Sequence, residues 1–372
     1  MSKKVLITGG AGFIGSHLAD DLLEQGYEVR ALDNLSEQVH GQNAGRPDYL
    51  HPNVELQLGD IRNPEAVETA LEGVDMIFHL AAMVGVGQSM YQLKNYTEVN
   101  NLGTAVLLEA LLKKPVQKLI VASSMSIYGE GLYTDSRGAT YSEASRKLSN
   151  LKQAQWELYN TQGEQLNPVA TPESKKPDLS SIYALSKYDQ ERMCLIFGKA
   201  YNIPTTALRF FNVYGTRQAL SNPYTGVLAI FASRLLNNNP PMIFEDGMQQ
   251  RDFVHVKDVA KACRLAMEVS ESNGEVFNIG SGNNYSISLI AEKLATVMGK
   301  GEQKAEITGK YRLGDIRHCF ADTKKAREIL GFTPKVKFED GLLELANWLE
   351  TQIAIDNVSK ASSELSSRGL TV

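Results

Sequence analysis

The chain is poor in several things, and each scarcity narrows what it can be. It has 3 cysteines in 372 residues, at Cys194, Cys263 and Cys319, far apart and without metal-ligand spacing. Neither a disulfide framework nor a bound metal is expected, and a reducing, cytoplasmic setting fits best. No uncharged apolar run reaches the ~18 residues that would span a bilayer, so no membrane partner is expected. Positive charge is not in excess: 38 Lys and Arg stand against 43 Asp and Glu, a formal net charge of −5. That balance offers no footprint for nucleic acid or for an anionic membrane surface. The opening MSKKVLITGG runs directly into a strand pattern, without the apolar stretch of a leader.

What is present is an ordinary globular composition, with 43% hydrophobic and 22% charged residues, in a chain long enough to bury a large core. Short apolar runs punctuate the first 210 residues: KVLIT (4–8), YEVRALD (27–33), VELQLGD (54–60), DMIFHLAA (75–82), KLIVASS (118–124) and TTALRFF (205–211). Helical patterns, including 91–113 and 183–200, separate most of them. This alternation predicts an α/β fold, a Rossmann-type doubly wound parallel sheet with a smaller α/β C-terminal substrate lobe. The expected division is a dinucleotide-binding domain over 1–214, with a polar insertion at 131–178. A substrate lobe follows over 215–350, from which 251–280 returns to the first domain. A polar, Ser-rich tail, loosely attached, closes the chain at 352–372.

The stretch VLITGGAGFIGSHLADDLL sets Gly9, Gly12 and Gly15 between a strand and a helix. Glycine lets backbone turn tightly and approach a pyrophosphate, and the helix N-terminus presents free N–H groups to that anion. Asp33 stands where the second strand should end, placed to accept hydrogen bonds from a ribose. Its charge would oppose a 2′-phosphate, and Asn34 and Leu35 rather than an Arg follow it. NAD is therefore favoured over NADP. Asp60, ending GDI, is placed to reach the adenine amino group.

With these residues in view, the chain resembles the extended short-chain dehydrogenase/reductases, in their nucleotide-sugar epimerase/dehydratase branch. TGGAGFIG (8–15), GDI (59–61), HLAA (79–82), NNLGT (100–104), SSMSIYG (123–129), YALSK (183–187), RFFNVYG (209–215), RDFVHVKD (251–258), NIGSG (278–282) and RLGDIRH (312–318) follow in that family's order. The resemblance covers about 1–350, apart from the insertion. It implies that NAD rests on Gly9, Gly12, Phe13, Ile14, Gly15, Asp33, Asn34, Asp60 and Ile61. Leu80, Ala81, Ala82, Asn100 and Ser123 would complete the site beside Tyr183 and Lys187.

It also implies a chemistry. Tyr183 becomes the acid/base on a sugar hydroxyl, Lys187 one helical turn on favours its phenolate and holds the nicotinamide ribose, and Ser124 bonds the reacting oxygen. A free phenol titrates near ~10 and is a poor base at neutral pH, so a nearby positive charge is needed. Family members that eliminate water carry an Asp-Glu pair after the position of Ser124, and related decarboxylases a Glu where Ser126 stands. Here Met125 and Ser126 occupy those places. The remaining set can move one hydride and one proton, which suffices for epimerisation through a keto sugar; a dehydrogenase or reductase is the alternative.

The substrate implied is a nucleotide-diphosphate sugar. Arg251, Arg312 and Arg317 are candidate diphosphate clamps, with Asn212, Val227, Met83, Val84 and Ser126 as further contacts. Apolar residues at Met83 and Val84 suit a deoxysugar methyl. The long insertion and FFNVYGTRQALSNPYTGV resemble the dTDP-L-rhamnose 4-epimerase type, with UDP-hexose 4-epimerases or inversion at another carbon as alternatives. Family members commonly pair through the helices near 91–113 and 183–200. A homodimer is therefore expected, with Val99, Leu102, Val106 and Ala110 sharing one face. His255 is expected to be structural.

Overall fold

A computed structural model describes residues 2–42 and 44–371. Seven strands make one parallel sheet: β1 (Lys4–Thr8), β2 (Glu28–Asp33), β3 (Glu55–Leu58), β4 (Met76–His79), β5 (Lys118–Ser124), β6 (Thr205–Phe210) and β7 (Val276–Ile279), in the order β7-β6-β5-β4-β1-β2-β3. The central strands β1, β4 and β5 read as largely apolar runs because helices cover both faces. Val5, Leu6 and Ile7 are all fully buried. The chain leaves β1 toward β2 on one side and returns with β4 on the other. That reversal opens a crevice beyond the carboxyl ends of β1 and β4, and open α/β sheets bind ligands at such a point. The glycine-rich turn lies there: Gly9 takes φ +71°, and a Cβ on it would sit 3.0 Å from the Ala81 amide nitrogen.

Residues beyond β6 alternate between two bodies. Asn212–Tyr214 pairs with Phe253–His255, and β7 adds the sheet's last strand. The helix Val256–Glu268 packs on the helix Phe13–Glu24, pinned by Arg264 Nε to Asp21 at 2.7 Å. A second apolar cluster joins the helices Val227–Leu236, Ile287–Val297 and Phe338–Leu349 around Phe231, Ile243 and Phe253. His255 caps the helix that follows it, its Nδ1 accepting from the Lys257 amide. Among the described residues, no helix is long and apolar enough to cross a membrane.

The insertion carries its own three-stranded sheet, Leu132–Thr134, Thr140–Tyr141 and Asn167–Val169. It is bolted to the second lobe by buried charge. Arg146 bridges Glu130 (3.0 Å) and Glu245 (2.6 Å), while Glu157 meets Arg317 and His318. Burial pushes the Glu157 carboxyl up, but hydrogen bonds from His318 and Arg317 outweigh it and hold it at about 2. A depressed carboxylate stabilises the fold above its ordinary pKa and loses that contribution as pH falls toward the folded value. The melting temperature is therefore expected to drop between about pH 4.5 and pH 2. The Glu157→Gln variant should show a shallower drop; identical profiles in thermal melts would remove Glu157 from the account.

The tail departs from expectation. Residues 352–371 are held down, and Val358–Ser367 is helical with Ala361 and Leu365 buried. Val358, Ala361 and Leu365 make a narrow apolar stripe, which a Ser-rich composition conceals.

Candidate active site

A cavity of about 620 Å³ runs along the carboxyl edge of the sheet, from the glycine-rich turn to the second lobe. At one end, helix Phe13–Glu24 begins at Gly12 without a side-chain cap, which leaves its first-turn N–H groups to the cavity. Gly15 belongs to the same close approach, because a Cβ there would overlap the Gly9 carbonyl oxygen. Phe13, Ile14, Leu80, Ala81 and Ala82 line this end. Asp33 is buried and ordered by backbone, accepting from Ala11 N at 3.0 Å and Leu35 N at 2.9 Å. Asn34 donates to Asp60 at 3.1 Å, and bonding to Arg62 holds Asp60 at about 2 against burial. Ile61 completes that wall.

At the middle, Ser124 ends β5 and caps the short turn Met125–Tyr128. Its Oγ accepts from the Ser126 amide (3.1 Å) and the Ser126 hydroxyl (2.9 Å). Both lone pairs are thus engaged, and the Ser124 O–H is left to donate into the cavity. Tyr183 opens the helix Ile182–Tyr201, which Ser181 caps. Burial raises the Tyr183 phenol above its ordinary range, and a hydrogen bond with Ser124 opposes that. Lys187 Nζ donates to Gln190 Oε1 at 2.7 Å, and burial lowers its ammonium to about 8.

Gln190 ties Lys187 into a network the motifs did not reveal. Its Nε2 reaches Thr104 Oγ1 (2.9 Å) and His79 Nε2 (3.2 Å), and His79 Nδ1 meets Thr8 Oγ1 (2.8 Å). Burial pushes His79 down to about 3, so it is neutral and serves as a hydrogen-bond relay. Behind Ser124, the Ser123 hydroxyl donates to Glu191, and Arg209 grips that carboxylate with two nitrogens at 2.7 and 2.9 Å.

Asn100 does not line the cavity. It lies in the π-helical segment Thr97–Leu102, whose extra residue per turn buries it completely. Its amide brackets Met83, accepting from N at 2.7 Å and donating to O at 3.1 Å, and also reaches Ser186 Oγ at 2.8 Å. It positions the cavity wall against the Tyr183 helix.

At the far end, Met83, Val84, Asn212, Val227, Arg251 and Arg312 all line the cavity. The Arg251 guanidinium is aimed by backbone carbonyls of Gln250, Ile316 and Arg317, and no carboxylate pairs with it among the described residues. Arg312 pairs with Asp315 at 2.9 Å over the Phe244 ring. Arg317 lies elsewhere. It is 1% exposed, and Glu157, Glu245 and Asp246 take up its nitrogens. Its expected role as a clamp is therefore corrected: three carboxylates consume its charge, Glu157 from the insertion and Glu245 and Asp246 from the second lobe. Sequence reasoning also missed Gln218 and Gln249, buried cavity-lining residues whose Oε1 atoms, like Asn212 Oδ1, have no hydrogen-bond partner among the described residues. The carboxylates lining the cavity are Asp33, Asp60 and Asp315. Next to Ser124 stand Met125 and Ser126.

Comparison with known proteins gives a consistent result. Residues 5–280 match the family described as NAD dependent epimerase/dehydratase. A dTDP-L-rhamnose 4-epimerase of Burkholderia thailandensis is 33% identical over 94% of this chain and 96% of its own. The UDP-glucose 4-epimerase of Thermotoga maritima, solved with UDP-glucose, superposes with a TM-score of 0.74 at 32% identity, covering 93% of this chain and 98% of that one. The Thermus thermophilus UDP-glucose 4-epimerase, solved with NAD, gives a TM-score of 0.75 at 30% identity, covering 94% of this chain and 100% of that one.

Proposed function

The chain belongs to the NAD dependent epimerase/dehydratase family and is an NAD-dependent nucleotide-sugar epimerase of the extended short-chain dehydrogenase/reductase type; from that premise we propose that it inverts C4 of dTDP-L-rhamnose or a similar dTDP-deoxysugar. The observation that carries the reading is that Ser124, Tyr183 and Lys187 line one cavity, the last two a turn apart on one helix, with Met125 and Ser126 where elimination or decarboxylation would need a carboxylate. The glycine cradle, the uncapped helix N-terminus and the ordered Asp33 carboxylate suit NAD. Bound there, NAD supplies the hydride acceptor and donor. Tyr183 Oη takes the proton of the sugar C4 hydroxyl, and Ser124 donates to the same oxygen as it becomes a carbonyl. Lys187, held by Gln190, keeps positive charge beside the reacting groups. Tyr183 returns the proton when the 4-keto sugar is reduced on its other face. Oxidation and reduction cancel, so no cofactor is consumed.

The nucleotide is assigned to the far end, where Arg251 and Arg312 face the diphosphate and Asn212 offers an unpartnered oxygen. The apolar wall of Met83, Val84 and Val86 supports a deoxysugar, as does the likeness to the Burkholderia enzyme. The Thermotoga likeness keeps a UDP-hexose as the second reading. Half-exposed Leu102 with Leu185 and Ile196 on neighbouring helices supports a homodimer, whereas Ala110, expected on that face, is buried in the core.

The test is incubation of purified protein with UDP-, dTDP-, GDP- and CDP-sugars, with products read by NMR. The expected result is C4 epimerisation of dTDP-L-rhamnose with no build-up of NADH absorbance, by a species that sediments as a dimer. Stoichiometric NADH would make it a dehydrogenase, and conversion of UDP-glucose alone would replace the deoxysugar.

A further inference from the structure

The C-terminal helix belongs to the substrate site. Val358, Ala361, Ser362 and Leu365 line the same cavity as Tyr183 and Arg312. Leu365 is 4% exposed and rests on Gly87, where a Cβ would sit 3.3 Å from each Leu365 methyl. Gly87 lies in the turn Val86–Ser89, and Ser89 Oγ accepts from the Tyr183 amide at 3.0 Å. Leu365 is thus two contacts from the acid/base.

The helix is tied at both ends. Before it, Asp356 bonds Asn239 at 2.7 Å and pairs with buried Arg234 at 3.4 Å, and Asn357 donates to the Ser221 carbonyl at 2.9 Å. After it, Arg368 stacks over the Tyr91 ring at 4.6 Å. The Leu313 amide donates to the Leu370 carbonyl at 2.9 Å, and Thr371 forms an antiparallel bridge with Arg312 itself. The strap therefore joins the turn beneath the sugar-facing wall to the segment that carries Arg312.

We propose that Leu365 is a specificity-determining residue: with Val86 and Gly87 it closes the cavity with an apolar wall that accepts a deoxysugar and rejects a sugar with a charged substituent on that side. The proposal rests on the functional reading above. A carboxylate against Leu365 would be desolvated by the apolar wall, and the cations lining the cavity among the described residues are already engaged: Lys187 with Gln190, Arg312 with Asp315, and Arg251 with backbone carbonyls. Arg368 is committed to Tyr91 and Glu364.

The test compares wild type with Leu365→Ala and Leu365→Met on dTDP-L-rhamnose, UDP-glucose and UDP-glucuronate, with thermal melts and bound NAD measured alongside. Removing the isobutyl side chain should raise KM for the deoxysugar roughly 10–200-fold, the range for lost hydrophobic pocket contacts. It should leave kcat and bound NAD near wild type, and narrow the gap to the other two sugars. Leu365→Met, close in volume, should recover most of the affinity even if Leu365→Ala folds poorly. Should wild type convert none of the three, the functional reading fails, but amide exchange still decides this inference. Slower exchange across Val358–Ser367 on adding dTDP-L-rhamnose supports it. Exchange unchanged by every sugar, or unchanged KM ratios in Leu365→Ala, would overturn it.

Discussion

Replacing Tyr183 with Phe is expected to lower turnover at least ~100-fold while leaving the fold and bound NAD in place. The change deletes one oxygen, the group proposed above to exchange a proton with the sugar. Nothing in the packing depends on that oxygen. The ring is held by its T-shaped contact with Tyr96 at 6.4 Å, and the backbone by Ser89. The measurement is kcat with protein-bound NAD and melting temperature in parallel. Loss of NAD together with activity would mark a structural defect. An unchanged rate would remove Tyr183 from the mechanism.

Replacing Glu191 with Ala should cost about 3–5 kcal/mol of stability, because it strands a buried charge. Arg209 and Glu191 are 5% and 1% exposed, and the pair lies directly behind the strand that ends in Ser124. Burial of the guanidinium is tolerated because Glu191 bonds it twice while Tyr128 and the Glu173 carbonyl take its remaining face. Alanine leaves the cation without its counterion in a medium that solvates it poorly. Joint replacement of Arg209 by Met and Glu191 by Leu should recover much of the loss. Denaturant midpoints decide the matter, and a Glu191→Ala midpoint near wild type would show that water reaches Arg209.

Where sequence reasoning succeeded, the determinants were local. The glycine-rich turn needs a positive φ at Gly9 and no side chain at Gly15, and only glycine meets both demands. Apolar runs separated by helical periods specify strands buried on both faces, hence a parallel sheet, and the reversal beside β1 then fixes where the crevice opens. Tyr183 and Lys187 fall one turn apart on a helix whose Ser181 cap stands beside them in the sequence.

Where it fell short, the deciding contacts were distant. Arg312 and Arg317 read alike in RLGDIRH, yet the insertion's Glu157 claims one and leaves the other facing the cavity. Asn100 reads as a cofactor contact until a π-helical turn rotates it into the core. The Ser-rich tail carries only three apolar residues on its stripe, too few to signal docking, and its partners Gly87, Tyr91 and Arg312 lie hundreds of residues upstream or in another lobe. By itself, then, the sequence determined the fold and where in it the glycine-rich turn and the Tyr183–Lys187 helix stand. Only the tertiary structure decided which charges stay free and which surfaces close the cavity. A side chain's ionisation, pairing and exposure depend on groups within a few ångströms, and those groups are brought there by the whole fold.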